Sequence, residues 1–183
     1  MTPSPWLIES RAQLQAASAL GPVVDLACGR GRNALAVARW GTPVVGVDLD
    51  PELLEQLASA ARDAQLPIRC VRADLEAEPG FPLKPGSCGT ILVFRFLSRS
   101  LAPSIAEALA PGGMLLTETF TQEQRRLGYG PTRDAFLLAA GELPTLFPEL
   151  VIDASWEGVS EAGPRPEAVA RLRAHRAAPP ARA

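Results

Sequence analysis

The most constraining feature of the sequence is a glycine-containing loop that joins a short apolar strand directly to a helix. Val23–Leu26 has the composition of a buried strand, residues 28–32 contain Gly29 and Gly31, and a helical pattern follows over residues 33–40. Glycine lets the backbone turn tightly and approach a ligand, and the free N–H groups at a helix start attract an anion. This segment therefore predicts an α/β fold that binds a ligand at the carboxyl end of its first strand.

The rest of the chain alternates apolar strand-like runs with helical segments, which is the pattern of βα units on a parallel sheet. Helices are expected over about residues 9–20, after the helix start Asp50-Pro51-Glu52, and over residues 101–110 and 136–146. The last two apolar runs are expected to pair as an antiparallel ribbon. The predicted fold is a doubly wound, Rossmann-like, seven-stranded sheet, mostly parallel with an antiparallel C-terminal strand; its strands are residues 23–26, 44–47, 68–72, 90–94, 114–120, 151–156 and 168–175.

Length and charge limit the classes of function. With 183 residues the chain fits a single domain over residues 1–183, with a helical segment at 1–20 and a frayed tail at 177–183. The formal net charge is −2 and Lys84 is the only lysine, so no basic stripe for a nucleic-acid backbone is present in the sequence. Nucleic acid is therefore not an expected partner.

Cysteine content and hydropathy bear on location. Cys28, Cys70 and Cys88 are odd in number and lack the paired spacings of metal or redox sites, so unbridged thiols and no metal are expected. The first ten residues have no basic region followed by an apolar run, and no apolar stretch in the sequence is long enough to cross a bilayer, so neither a leader peptide nor a membrane span is expected. We therefore expect a cytoplasmic protein without membrane contact, as a monomer or homodimer.

Acidic residues follow or end the first three predicted strands. Asp25 lies four residues before Gly29, Asp48 lies 19 residues after it, and Asp74 follows the third strand. Gly29-x-Gly31-x-x-Ala34 together with Asp48 also fits a dinucleotide-binding fingerprint, so a nicotinamide enzyme is an alternative. That alternative lacks a Tyr-x-x-x-Lys pair and a second domain.

The three acids and the glycine loop together resemble the class I S-adenosylmethionine-dependent methyltransferases. DLACGRGRNAL, VVGVDLD, LAPGGMLLTETF and GELPTLFP are similar to a small bacterial subgroup named for tellurite resistance and distantly to thiopurine methyltransferases, over about residues 20–156. The family has glycine where this chain has Ala27. Phe94-Arg95-Phe96 replaces the polar motif of amino-methylating families, so methylation of nucleobase amino groups loses support.

The resemblance implies a site for S-adenosylmethionine and its product S-adenosylhomocysteine. Residues 27–31 would line the methionine part, Asp48 the ribose, and Leu49 the adenine. Asp74 would accept from the adenine amino group, the Leu75 N–H would donate to a ring nitrogen, and Phe94 would lie beside the sulfonium. The full implied cofactor-binding set is Asp25, which orients the loop, with Ala27, Cys28, Gly29, Gly31, Asn33, Asp48, Leu49, Asp74, Leu75 and Phe94.

Substrate contacts are expected after the fourth and fifth strands, because loops at the carboxyl ends of strands border the active site. The candidates are Arg95, Arg125 and Tyr129, and a solvated segment in which Arg125, Arg126 and Arg133 pair with Glu123 and Asp134 is an equal alternative. No catalytic base is apparent, since Cys28 and His175 are expected to be structural.

The expected function is methyl transfer to a small-molecule acceptor by direct in-line displacement, with a soft nucleophile such as a thiol or chalcogen oxyanion. The alternatives are an NAD-dependent oxidoreductase and a non-catalytic S-adenosylmethionine-binding module. The missing base and the short chain motivate the last of these.

Overall fold

A seven-stranded sheet forms the centre of the protein, with the strand order β3-β2-β1-β4-β5-β7-β6. The structure, a computed structural model, describes residues 2–77 and 81–178. The strands are β1 Val23–Leu26, β2 Val44–Asp48, β3 Ile68–Arg72, β4 Cys88–Phe94, β5 Leu109–Phe120, β6 Leu150–Ser160 and β7 Glu167–Arg176.

The direction of the strands confirms the predicted fold class. Strands β1 to β5 pair in parallel, and β7 is antiparallel to both β5 and β6. Because parallel strands all end at one edge, the segments that follow β1, β2 and β4 lie next to each other there. Strands β2 and β3 lie on one side of β1, and β4 and β5 lie on the other. The crevice between the loops that follow β1 and β4 is the usual location of a ligand site in such a sheet.

The described residues contain six α-helices: α1 Pro5–Glu9, α2 Arg11–Ala17, α3 Arg32–Arg39, α4 Pro51–Asp63, α5 Ala102–Ala108 and α6 Glu142–Thr145. The predicted start of α4 is confirmed, since the Asp50 carboxylate accepts from the N–H groups of Glu52 and Leu53 at 2.8 and 3.2 Å. Proline at the first helical position has no N–H that needs a partner.

The helix predicted over residues 136–146 is wrong in most of its length. Leu137 and Leu138 are fully buried, and the Leu138 N–H donates to the Phe120 carbonyl at 3.0 Å. Leu138 also forms an isolated parallel bridge with Thr121. Apolar burial at the end of β5 therefore holds this segment extended. Within residues 136–146, only Glu142–Thr145 is α-helical, and Phe136 is the last residue of a 3-10 helix.

Other boundaries differ less. The opening helix is two helices, α1 and α2, and the helix predicted over 101–110 ends at Ala108 because Leu109 and Ala110 already belong to β5. Of the predicted frayed tail, residues 177–178 lie outside any helix or strand, and 179–183 lie outside the described residues. The buried apolar core covers both faces of the sheet, one with α1 to α4 and the other with α5 and the segment before β6.

Candidate active site

The loop between β1 and α3 has a left-handed backbone at alternate residues. Ala27, Gly29 and Gly31 have φ angles of 52°, 54° and 74°. Only glycine adopts such angles without steric strain, so Ala27 adopts its conformation at a cost of about 1–2 kcal/mol. The family's preference for glycine at this position therefore has a simple steric reason.

The two glycines of this loop have different surroundings. A Cβ on Gly31 would come within 2.9 Å of Leu57 Cδ2 and closer still to Cδ1, because α4 packs directly against the loop. A Cβ on Gly29 would meet nothing within 4 Å. Gly31 is therefore required for packing, whereas Gly29 leaves open space beside the loop that a ligand can occupy.

Asp48, at the end of β2, is bonded directly to this loop. Its Oδ2 accepts from the Gly29 N–H at 2.7 Å and its Oδ1 accepts from the Asp50 N–H at 3.0 Å. The Cys28 N–H donates to the Val47 carbonyl at 3.0 Å, which holds the loop against β2. Each carboxylate oxygen can accept a second hydrogen bond, so Asp48 retains capacity for ligand hydroxyls.

Asp25 lies inside the fold, with 2% of its surface exposed. Its Oδ2 accepts from the Ala34 N–H at 3.1 Å, which links the end of β1 to the first turn of α3. Burial raises the pKa of this carboxyl from 3.8 to about 7, against the opposing effects of the Ala34 hydrogen bond and the Arg32 charge. A loop-orienting role fits this geometry and stays a prediction.

Cys28 and Asn33 have side chains that face the protein. The Cys28 thiol is buried against Gly46, and burial, with the nearby charges of Asp25 and Asp48, raises its pKa well above the ordinary range. The Asn33 Oδ1 accepts from the Ser4 N–H at 3.0 Å and so fixes the N-terminal segment. Only the backbone of Cys28 is therefore in a position to serve a cofactor.

The ends of β2, β3 and β4 carry the other residues of the implied cofactor set. Leu49 is 51% exposed, and its carbonyl accepts from Arg72 Nε at 3.2 Å. Asp74 is exposed and caps a local turn by accepting from the Glu76 N–H at 2.9 Å. The side chains of Leu75 and Phe94 are buried. The structure thus brings all these residues to one edge, while their contacts with a cofactor stay predictions.

A cavity of about 500 Å³ opens at the same edge, beside the start of α3. We name it the charged cavity, because its walls include charged side chains from α3, the end of β4, β5 and β7: Arg32, Arg95, Glu118, Glu167 and Arg171. The prolines of the N-terminal segment and the turn between β6 and β7 close the other sides.

Glu118 is the centre of the hydrogen bonds in the charged cavity. It is 2% exposed and accepts from Arg171 Nε at 2.7 Å and from the Ser4 hydroxyl at 3.2 Å, while Arg95 Nε lies at 3.9 Å. Arg95 also makes a bidentate ion pair with Glu167, in which Nη1 donates to Oε1 at 2.8 Å and Nη2 donates to Oε2. These bonds join the N-terminal segment, β4, β5 and β7.

Of the three substrate candidates, the structure places Arg95 in the charged cavity, and Arg125 and Tyr129 are not among the residues that line it. Arg125 pairs with Asp134 and donates to the Thr132 carbonyl at 3.0 Å, and Arg126 pairs with Glu123 at 2.9 Å. The Tyr129 hydroxyl donates to the Pro166 carbonyl. Their roles as substrate contacts stay predictions.

Sequence reasoning did not single out Arg32, Glu118, Glu167 or Arg171. One signal was available for Glu118, which is the one charged residue in the β5 sequence LAPGGMLLTETF. Its side chain is buried there only because two distant residues bond to it, which a linear pattern does not show. Arg32 lies next to Gly31 but has no distinguishing feature in the sequence.

Comparison with known proteins gives the class to which this fold and loop belong. The model of a family described as a methyltransferase domain matches residues 23–113, about half of the chain. The chain is 35% identical over 94 residues to the ribosomal protein L11 methyltransferase of Thermus thermophilus and 36% identical over 112 residues to the uncharacterized methyltransferase YodH of Bacillus subtilis. These alignments cover 51% and 58% of this chain, but only 36% and 47% of the relatives.

Among solved structures, TehB from Haemophilus influenzae has the same fold, with a TM-score of 0.70 and 21% identity over 91% of this chain and 62% of that chain. Fold, loop and family match together define the class: residues 23–113 are a methyltransferase domain of the S-adenosylmethionine-dependent type. The alignments cover less than half of the L11 methyltransferase and of YodH, so the substrates of those proteins are not assigned to this chain.

Proposed function

We propose that the protein transfers a methyl group from S-adenosylmethionine to a small-molecule acceptor and leaves S-adenosylhomocysteine. The observation that carries the proposal is the bond of 2.7 Å between Asp48 and the Gly29 N–H, next to open space at Gly29. It joins a carboxylate suited to ribose hydroxyls to a loop suited to the amino-acid part of the cofactor.

The residues at this edge fit the cofactor. The exposed Leu49 side chain offers an apolar surface for a purine, and Asp74 is exposed at the end of the next strand. Residues 27–31 would hold the methionine part, Asp48 the ribose, Leu49 and Asp74 the adenine, with the Leu75 N–H, and Phe94 would lie beside the sulfonium.

When bound, S-adenosylmethionine supplies a methyl group on a positively charged sulfur, which a nucleophile displaces in line. The protein's own residues then act mainly by position, because alignment of two reactants and exclusion of water lower the barrier. Cys28 takes no part as a nucleophile, since burial raises the pKa of its thiol and keeps it protonated.

We propose a soft nucleophile, such as a thiol or a chalcogen oxyanion, as the acceptor. No histidine lies among the residues that line the charged cavity; His175 pairs instead with Asp153, at 3.0 Å, in the outer strands. An acceptor that is already ionised needs no base. The resemblance of the sequence to the tellurite-resistance subgroup supports this choice.

The test of the proposal is calorimetric titration of the protein with S-adenosylmethionine and, separately, with NAD. Binding of NAD alone would overturn the proposal in favour of a nicotinamide enzyme. Asp48→Ala is expected to weaken S-adenosylmethionine binding by about 2–4 kcal/mol, roughly 30- to 1000-fold, because two hydrogen bonds to a carboxylate are lost. Asp63→Ala removes an exposed carboxylate from the end of α4 and is the matched control.

Catalysis requires a separate measurement. Release of S-adenosylhomocysteine in the presence of simple thiols, selenite and tellurite would distinguish an enzyme from a module that only binds the cofactor. Binding without turnover over the whole panel would contradict the proposed acceptor class.

We propose further that the protein acts in the cytoplasm as a monomer or homodimer. The free thiols of Cys28, Cys70 and Cys88 support a reducing compartment. Among residues 2–77 and 81–178, no helix is long and apolar enough to cross a bilayer.

A further inference from the structure

The charged cavity contains one cation more than it has carboxylates to pair with. Three arginines and two glutamates line it. Glu167 gives both oxygens to Arg95, and Glu118 accepts from Arg171 and Ser4. Both carboxylates are therefore engaged, and the third arginine, Arg32, has neither of them as an ion-pair partner.

Arg32 is the residue without a partner. Its Nη2 atom is buried and has no hydrogen-bond acceptor among the described residues, and none of their carboxylates lies within 4.0 Å of its guanidinium. Burial and then the charge of Arg95 lower the pKa of Arg32, against the opposing charges of Glu118, Glu167 and Asp25. It also lies in the first turn of α3, where the helix dipole disfavours a cation. Carboxylates therefore act on Arg32 only from a distance, and the described residues leave its buried Nη2 atom without the acceptor that a buried donor normally has.

We propose that the charged cavity binds the anionic group of a small molecule, a carboxylate or an oxyanion of similar size, with Arg32 as its anchor. A guanidinium presents two parallel N–H groups that match the two oxygens of a carboxylate. The cavity volume of about 500 Å³ is large enough for the rest of a small ligand as well.

This inference rests on the proposed function, because Arg32 directly follows Gly31 and the charged cavity borders the cofactor loop. Two molecules of the proposed reaction can carry the anionic group. One is the methyl acceptor, and the other is the cofactor itself through the carboxylate of its methionine part. Two arms of one experiment separate these sources.

The first arm compares S-adenosylhomocysteine with 5′-methylthioadenosine, which lacks the amino-acid part, by calorimetry on the wild type, Arg32→Gln and Arg39→Gln. Arg39 is an exposed arginine at the other end of α3 and serves as the matched control. If the anion belongs to the cofactor, Arg32→Gln weakens S-adenosylhomocysteine roughly 10- to 100-fold and leaves 5′-methylthioadenosine unchanged.

The second arm titrates 3-mercaptopropionate and its methyl ester onto the protein saturated with S-adenosylhomocysteine. If the anion belongs to the acceptor, the wild type prefers the acid by roughly tenfold or more, and Arg32→Gln abolishes that preference. Arg32→Lys keeps the charge without the planar fork, so an intermediate preference is expected. Arg39→Gln is expected to behave as the wild type in both arms.

The inference is overturned if Arg32→Gln changes neither the cofactor comparison nor the preference for the acid over the ester. Failure of the proposed function looks different, because neither adenosine compound would then bind the wild type. In that case the acid and the ester are titrated onto the free protein, and equal or absent binding of the two overturns the anion site as well.

Discussion

The cofactor loop, residues 27–31, and the charged cavity lie at one edge of the sheet and are built from different parts of the chain. In the loop and the first turn of α3, backbone N–H groups bond to nearby carboxylates: Gly29 to Asp48, 19 residues away, and Ala34 to Asp25, nine residues away. In the charged cavity, side chains bond across long stretches of sequence: Ser4 to Glu118 spans 114 residues and Arg95 to Glu167 spans 72.

This difference shows why the cofactor loop could be predicted from the sequence and the charged cavity could not. A turn of glycines between a strand and a helix has the same local shape wherever it occurs. A buried carboxylate surrounded by arginines exists only after the N-terminal segment, β5 and the strand pair β6–β7 have come together. The following predictions test the two halves separately, from the largest effect to the smallest.

Removal of the central carboxylate of the charged cavity is expected to have the largest effect on stability. Glu118→Ala leaves Arg171, whose side chain is 12% exposed, without its ion-pair partner. We expect the free energy of unfolding to fall by about 3–5 kcal/mol, measured by urea denaturation. The control Glu123→Ala breaks an exposed ion pair with Arg126 and is expected to change the free energy of unfolding by about 0–1 kcal/mol. Similar losses for the two variants would show that the cavity's ion pairs are ordinary surface pairs.

The free energy of unfolding is expected to depend on pH through Asp25, whose carboxylate bonds to the helix that follows the cofactor loop. Because burial raises its pKa from 3.8 to about 7, the folded state holds this proton more tightly than the unfolded chain. Its contribution to stability is therefore fully present below pH 3.8 and is lost as the pH rises through 7. Asp25→Asn removes this titration and keeps an acceptor for the Ala34 N–H.

We expect the unfolding free energy of Asp25→Asn relative to the wild type to rise by up to about 4 kcal/mol between pH 4 and pH 8. Urea denaturation at each pH measures it, and Asp63→Asn, at an exposed position, is the control. A constant difference over this range would show that Asp25 is not the titrating group.

Packing in the cofactor loop predicts a larger loss of stability on substitution of Gly31 than of Gly29. Gly31→Ala forces a Cβ against the buried Leu57, in addition to the strain of a positive φ, and is expected to cost about 2–4 kcal/mol of stability. Gly29→Ala meets no neighbour and is expected to cost only the strain, about 1–2 kcal/mol. Thermal unfolding measures both, and equal melting temperatures would contradict the difference in packing.

The same division describes how far the sequence predicts the structure. The bounds of β1 and β3 and the start of α4 follow from local residues and are confirmed. The predicted helix over 136–146 is wrong because burial of Leu137 and Leu138 against the end of β5, a distant contact, outweighs its helical pattern. Glu118 and Arg32 could not be predicted as site residues for the same reason. The bonds to Glu118 and the absence of an acceptor for Arg32 Nη2 arise only in the assembled fold.

The smallest expected effect concerns Ala27, where this chain departs from the family. Ala27→Gly relieves the strain of a φ of 52° but adds freedom to the unfolded chain, so a net gain of up to about 1 kcal/mol in stability is expected. Gln65→Gly is the matched control, because Gln65 has the same φ of 52° at the exposed end of α4, far along the chain from the loop. If Ala27 lines the cofactor, both variants gain similar stability in thermal unfolding, and only Ala27→Gly changes S-adenosylmethionine affinity in calorimetry. An unchanged affinity would place Ala27 outside the cofactor contact, and the glycine preferred by the family would then be explained by the backbone angle alone.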